Sequence, residues 1–242
     1  MQIYPEKLLD FDKERYDYYF NYYRHNFNSE LQPNLGTEIV LDMVHELGEI
    51  KTLIDLGSGT STLFWMLPLQ NVETIIYNEI YKEPVYIFHN YVIKNDSLAK
   101  CYYEILKRYG YPSEHIGYIK NKIKEFHLFD VRSYWKINTN TKFEIITQFG
   151  TFGLSRNEEE FFRCIENSSK NLSDHGSIMG ANWVMKNHLI KEKSIDNHYL
   201  STDLIKKSAI SLNMKVTVNE MYKINDRDYE GILIWSLKKN GS

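Results

Sequence analysis

Two glycines, Gly57 and Gly59, stand between an apolar run that contains Asp55 and a row of hydroxyls at Thr60, Ser61 and Thr62. Glycine lets a backbone turn sharply and approach a ligand with no Cβ in the way. Amides and hydroxyls at the start of a helix favour a carboxylate or phosphate. A second apolar run follows and closes in Asn78-Glu79, where a carboxylate can take both ribose hydroxyls of a nucleoside as donors. The whole stretch from Lys51 to Glu79 therefore reads as strand, tight loop, helix, strand, acid, the plan of a nucleoside cradle. A complete dinucleotide fingerprint would carry glycine at 62, and this chain has Thr62, so nicotinamide and flavin nucleotides fit less well. The plain alternative is a tight βα turn that holds no ligand.

Those residues need elements to hold them. Thr52 to Leu56 and Thr74 to Tyr77 are continuous apolar runs, the mark of strands buried on both faces of a parallel sheet. Between them Thr62 to Leu69 is helical. Upstream, residues 5 to 30 read as a tyrosine-rich helix, Pro33 and Gly36 mark a boundary, and a helix runs from Thr37 to Gly48. Downstream, Pro84 opens a helix, and 97–125 reads as two helices broken at Gly110-Tyr111-Pro112, longer than a crossover needs and so an insertion. Phe126 to Phe129 and Phe143 to Gln148 are strands, with a polar loop at 136–142. Ser155 with Glu158 to Glu160 signals the cap of the next helix. Asp174-His175-Gly176 turns into a strand from Ser177 to Asn182, and 183–200 shows no clear period. A helix over Thr202 to Leu212 precedes a hairpin of Lys215 to Tyr222 and Gly231 to Leu237. This alternation predicts one α/β domain over 1–242. It is a three-layer Rossmann-like sandwich, with a mostly parallel seven-stranded sheet, a C-terminal antiparallel hairpin and an N-terminal helical lid over 1–36. Ligands of such sheets sit beyond the carboxyl ends of the strands, where Gly57 to Ser61, Glu79, Asp130, Gln148 and Asn182 fall.

Composition narrows the class. The chain has 242 residues, a net charge of -3 and no long single-sign run, so a polyanion-binding surface is not indicated. Its two cysteines lack metal-ligand spacing and suit a reducing compartment. Nothing in it reads as a signal peptide or a bilayer-crossing segment, so a cytoplasmic protein with no membrane partner is expected. Nineteen tyrosines supply large apolar faces with a polar tip, as a lined site or an interface needs.

Taken together, these residues resemble the class I S-adenosylmethionine-dependent methyltransferases. Within that class the chain is similar to the nicotinamide, phenylethanolamine and thioether (indolethylamine) N-methyltransferases. Their lid helix carries a YxxxYY pattern, matched by Tyr18, Tyr22 and Tyr23, and their DIGSGPT loop is matched by Asp55 to Ser61, DLGSGTS. The resemblance runs on through Phe129-Asp130-Val131, the DHGSIMGAN stretch that ends at Asn182, and the closing YEGILIWSLKK. It implies that Tyr18 and Tyr23 close over the cofactor, that Gly57, Ser58, Gly59, Thr60 and Ser61 line its methionine end, and that Glu79 holds the ribose. It further implies that Asp130 and Val131 bracket the adenine, with Gln148 and Phe149 beside the sulfonium.

Three positions depart from the family. Thr60 replaces a proline, Pro84 replaces a polar cofactor contact, and Asn182 stands where the amine enzymes carry a carboxylate. An asparagine cannot neutralise a cationic amine but can donate to and accept from an amide or heterocycle, so a neutral acceptor is expected. Tyr22, Phe152, Asn182 and Trp183 are its candidate contacts.

The expected activity is transfer of a methyl group to nitrogen or oxygen of a small molecule, with bacterial secondary metabolism suggested by the lysine- and asparagine-rich single domain. Positioning supplies much of the rate of such an in-line displacement. A base is needed only for a hydroxyl or weakly acidic N–H acceptor, and His188 and His25 qualify by location alone. No metal is expected, nor any nucleic-acid partner, and the protein is a monomer or homodimer. The competing readings are a cofactor-binding homologue without activity and a NAD-type oxidoreductase.

Overall fold

The computed structural model describes residues 1–26, 35–135 and 142–241. The boundary expected at Pro33 and all of the 136–142 loop except Lys142 lie outside them. Strands β1 (Gln2–Ile3), β2 (Glu49–Leu56), β3 (Asn71–Glu79), β4 (Ile123–Leu128), β5 (Phe143–Phe149), β6 (Leu172–Met185), β7 (Met214–Lys223) and β8 (Tyr229–Lys239) form one sheet in the order β1-β4-β3-β2-β5-β6-β8-β7. The pairs joining β4, β3, β2, β5 and β6 are parallel, and β8 runs antiparallel to both of its neighbours. The expected seven strands are present, and β1 adds a short antiparallel edge on β4 that two residues of sequence do not announce.

Alternation along β2 sorts two cores. Leu53 faces a cluster with α2 (Thr37–His45), α3 (Thr62–Met66), α5 (Lys100–Tyr109) and α6 (Glu114–Lys122), whereas Ile54 and Leu56 face α7 (Glu158–Ser169) and α9 (Thr202–Ser211). Helix α1 (Lys13–Asn26) and α4 (Lys82–Ile87), which continues as a π turn over Phe88–Ile93, complete the first layer, and α8 (Asn187–Lys193) follows β6. Among the described residues, no helix is long and apolar enough to cross a membrane.

Several boundaries differ from expectation for local reasons. The first helix begins at Lys13 and not at residue 5, because Asp10 takes a left-handed turn and the Asp12 carboxylate accepts the Arg15 amide at 2.9 Å as an N-cap. Asn157, not Ser155, caps α7 by accepting the Glu160 amide at 2.9 Å. Residues Asp174 to Gly176 do not precede a strand; they bulge inside β6, where its register with β5 slips. The break at Gly110 is as expected. The segment read as an insertion, however, supplies the crossover itself, since α6 packs on β3 and β4.

Candidate functional site

The chain runs from β2 to β3 on one side of the sheet and from β5 to β6 on the other, so the topological switch lies between β2 and β5. A cavity of about 540 Å³ opens there, beyond the carboxyl ends of the strands. Its floor is the loop after β2. Gly57 and Gly59 both take left-handed backbone, with φ of 59° and 57°. They do so for different reasons. A Cβ on Gly57 would run into the Thr151 side chain, whose hydroxyl donates to the Gly57 carbonyl at 2.6 Å and so ties the two switch strands together. A Cβ on Gly59 would meet only the Tyr19 ring, at 3.8 Å, so this glycine keeps open the floor of the cavity.

Around the glycines the loop is stitched from below. The Ser61 hydroxyl donates to the Ser58 carbonyl at 2.6 Å and accepts from the Trp65 indole at 3.0 Å, and the Tyr77 hydroxyl donates to the Gly59 carbonyl. Asp55, fully buried one turn earlier, accepts from the Thr147 hydroxyl at 2.8 Å. Burial pushes its carboxyl up, against the hydroxyls of Ser58, Thr62 and Thr147. Thr60 is buried in the stitching and does not reach the cavity.

Glu79 ends β3 at the cavity wall. Its Oε2 accepts the Gly59 amide at 2.9 Å and its Oε1 the Ile80 amide at 2.7 Å. Burial lifts this carboxyl from 4.5 to about 7, although both amides favour the charged form. Each carboxylate oxygen keeps a further acceptor position. Beside it the buried Asn78 Oδ1 accepts no hydrogen bond among the described residues. Two buried acceptors with spare capacity, next to a floor without a Cβ, fit a ligand that brings hydroxyl or amine donors, as a nucleoside does.

Past β4, Val131 lines the cavity and Asp130 reaches it in a two-pronged pair with Arg132, Nε to Oδ1 at 2.9 Å and a terminal nitrogen to Oδ2 at 2.8 Å. Partial burial pushes Asp130 up, but the Arg132 bonds prevail and hold it below the usual carboxylate range. Any amine donor there shares Asp130 with the guanidinium.

From α1, Tyr18, Tyr19 and Tyr22 form the cavity's cover. Tyr19 lies over Gly59, and burial together with the nearby Glu79 charge keeps its phenol protonated. Tyr23, one of the two tyrosines expected over a cofactor, points instead into the core and donates to the Tyr91 carbonyl at 3.2 Å. Tyr19, which the YxxxYY register passes over, takes that place. Phe149 and Trp183 line the cavity as expected, with the Trp65 ring between them at 5.1 Å and 6.2 Å.

Three other expected contacts are not at the cavity. Asn182 is fully buried: its Oδ1 accepts from Gln148 Nε2 and Trp235 Nε1, both at 3.0 Å, and its Nδ2 donates to Gln148 Oε1 at 3.1 Å. Gln148 Oε1 also accepts the Phe152 amide at 3.0 Å, and the Phe152 ring packs against Trp235. This amide pair sets the turn after β5 from behind and is spent on doing so. His25 and His188 are also elsewhere. The first bonds the Asn21 carbonyl and the second Asp228, at 2.7 and 3.0 Å.

Sequence reading missed the wall beyond Trp183. Leu35, Met185, Lys193, Ile195 and Asn197 line it, with Tyr229 from the start of β8. Asn197 fixes this segment by accepting the Met185 amide at 2.9 Å and donating to the Trp183 carbonyl at 2.8 Å. The segment over 183–200 shows no period in the sequence because it holds the end of β6, the seven-residue helix α8 and an irregular stretch.

No family model matches the chain, and no curated protein matches it. Solved structures do. An N-methyltransferase, NodS of Bradyrhizobium japonicum, in complex with S-adenosylhomocysteine, superposes with a TM-score of 0.58 at 10% identity over 93% of this chain and 97% of its own. Magnesium protoporphyrin IX methyltransferase of Synechocystis, with bound S-adenosylmethionine, gives 0.57 at 12% identity over 96% and 99%. An S-adenosylmethionine-dependent methyltransferase of Clostridium acetobutylicum gives 0.55 at 10% over 94% and 100%.

The chain has a methyltransferase fold. At these identities the likeness concerns the fold. Within this methyltransferase fold the cavity occupies the switch between β2 and β5, and the residues that wall it differ between its two sides.

Proposed function

We propose that the protein is an S-adenosylmethionine-dependent methyltransferase of small planar molecules, of the type of the nicotinamide and indolethylamine N-methyltransferases. The observation that carries this reading is Glu79, a buried carboxylate pinned by the Gly59 and Ile80 amides with acceptor positions to spare, at the edge of a floor without a Cβ. When bound, the cofactor supplies an electrophilic methyl group on a sulfonium. Glu79 would take its ribose hydroxyls, Ile80 and Val131 its base, and Tyr18 and Tyr19 would cover it. The tilted rings of Phe149, Trp65 and Trp183 exclude water and give the acceptor an apolar aromatic wall. No histidine lines the cavity among the described residues, and burial keeps the phenols of Tyr19, Tyr22 and Tyr229 protonated. With no histidine among the described wall residues and with Glu79 and Asp130 assigned to the cofactor, the acceptor's own lone pair does the work, which favours nitrogen over a hydroxyl. The expectation of a neutral acceptor rested on Asn182, and that side chain is withdrawn from the cavity. Isothermal titration separates this reading from a NAD-type oxidoreductase. S-adenosylhomocysteine should bind in the micromolar range and NAD should not, and the reverse result would overturn it. A bacterial biosynthetic role is consistent with this chemistry and is tested by the same acceptor screen that follows.

A further inference from the structure

Resting on the methyltransferase reading, we infer that the acceptor is a planar aromatic acid whose carboxylate pairs with Lys193. Four side chains that carry a formal charge line the cavity: Glu79, Asp130, Arg132 and Lys193. The first is held by two backbone amides, and the next two satisfy each other. Lys193 has no ion-pair or hydrogen-bond partner among the described residues. It also lies away from the other three. Glu79 ends β3 and Asp130 follows β4, whereas Lys193 follows β6, and in the strand order β3 and β6 are three places apart. At ~4.8 Å per strand that is about 14 Å across the sheet. Lys193, exposed at the end of α8 after β6, therefore lines the cavity on the side away from the strand ends that would hold the nucleoside.

What surrounds it is flat and apolar. Trp183, Met185 and Tyr229 face the cavity from β6 and β8, with Tyr22 closing from α1. No carboxylate lines this end among the described residues. Neither Glu192 nor Asp196, the acids beside Lys193 in the chain, lines the cavity, and Asp196 accepts the His198 amide at 3.0 Å; Asp226 accepts the amides of Asp228 and Tyr229 at 2.8 and 3.0 Å, and Asp228 takes His188 at 3.0 Å and Arg227 at 3.6 Å. The ammonium has donors only and the protonated phenols can donate as well, so the charge at this end favours an anion and opposes a cationic amine.

The test uses the full chain saturated with S-adenosylhomocysteine and matched probes on three flat scaffolds: benzoate, nicotinate and indole-3-carboxylate, each with its amide and its aminomethyl analogue. Calorimetric titration should show at least one acid binding on the order of tenfold more tightly than its amide, the size expected of a hydrogen bond to a charged group. Lys193→Gln should erase that preference, and Lys193→Glu should turn it toward the amine, both with unchanged S-adenosylhomocysteine affinity, which also reports that the variants fold. The inference is overturned if no acid outbinds its amide in the wild-type protein, or if the preference survives Lys193→Gln. Failure of the wild-type protein to bind S-adenosylhomocysteine would instead overturn the methyltransferase reading on which this one rests.

Discussion

The two ends of the cavity are built on different principles. At the β3 and β4 end the charged side chains are tied to backbone or to each other, Glu79 to two amides and Asp130 to Arg132, and Asn78 is held by its amide nitrogen to the Glu79 and Phe129 carbonyls. At the β6 and β8 end the wall is aromatic, two of its members come from a segment without regular structure, and its one ammonium is unpaired among the described residues. A fixed set of acceptors recognises a group that never varies. A flat, lightly bonded wall can be reshaped from one relative to the next without disturbing the sheet. On the proposed reading, cofactor recognition belongs to strand ends and acceptor recognition to the connections between them.

The sharpest way to break this division is at the two loop glycines, which share a backbone conformation and differ in what stands at the Cβ position. Gly57→Val forces a β-branched residue into left-handed backbone, at about 1–2 kcal/mol, and drives it into Thr151. A total loss above ~3 kcal/mol is expected from urea unfolding. Gly59→Ala carries only the conformational cost, about 1 kcal/mol, yet its methyl group enters the cavity floor and should abolish S-adenosylhomocysteine binding. If Gly59→Ala bound the ligand normally, the floor would not be where the cofactor lies.

The amide pair behind the cavity gives the next largest effect. Asn182→Ala leaves the Gln148 Nε2 and Trp235 indole donors without their acceptor in the core, so a loss of ~2–3 kcal/mol in urea unfolding is expected. Cofactor affinity should hold. A change in acceptor preference without loss of stability would return Asn182 to the role first expected of it.

The same division separates what the sequence discloses. The strands and the glycine loop are legible because burial on both faces and the need for left-handed backbone leave marks in residue type. Glu79, Asp130 and Val131 follow from their places at strand ends. Asn182 is the instructive failure. A buried asparagine and one that faces a ligand share a strand-end position, and the amide partner that decides between them, Gln148, is on the neighbouring strand, 34 residues away. Tyr23 is expected over the cavity where Tyr19 stands for a similar reason, since residues four apart on a helix point only about 40° apart and a motif alone does not say which of them meets the core. The wall at 183–197 is illegible because a strand end, the seven-residue helix α8 and an irregular stretch follow one another there, each too short to show a period.

Glu79 offers a test by pH. Its carboxyl lies near 4.5 in the unfolded chain and about 7 in the fold. An acid whose folded value is raised binds more protons when folded. Stability from this group is therefore full below pH 4.5, declines as pH rises toward 7 and is flat above. The decline amounts to ~3 kcal/mol. Urea midpoints of the wild-type protein relative to Glu79→Gln should fall across that window and not beyond it. Ribose hydroxyls that donate to the ionised carboxylate would lower its value, so S-adenosylhomocysteine should bind more tightly at pH 8 than at pH 6, with proton release visible as buffer-dependent heat. An affinity independent of pH would mean that the ligand does not reach Glu79.

The smallest effect separates the two neighbouring tyrosines. Tyr23→Phe deletes a hydroxyl that donates to the Tyr91 carbonyl and should cost about 1 kcal/mol of stability, with cofactor affinity unchanged, because this ring anchors α1 to the core and does not face the cavity. Tyr19→Ala removes a ring that lies over Gly59. It should weaken S-adenosylhomocysteine binding about tenfold while changing stability less than a core truncation does, since only a partly buried side chain is lost. Measured side by side, the pair asks whether α1 serves the cofactor through the residue that the fold turns toward it or through the one that the YxxxYY pattern singles out. Loss of affinity in Tyr23→Phe, with Tyr19→Ala silent, would mean that the helix rotates on its axis when the ligand binds and that the cover seen here is not the one that closes.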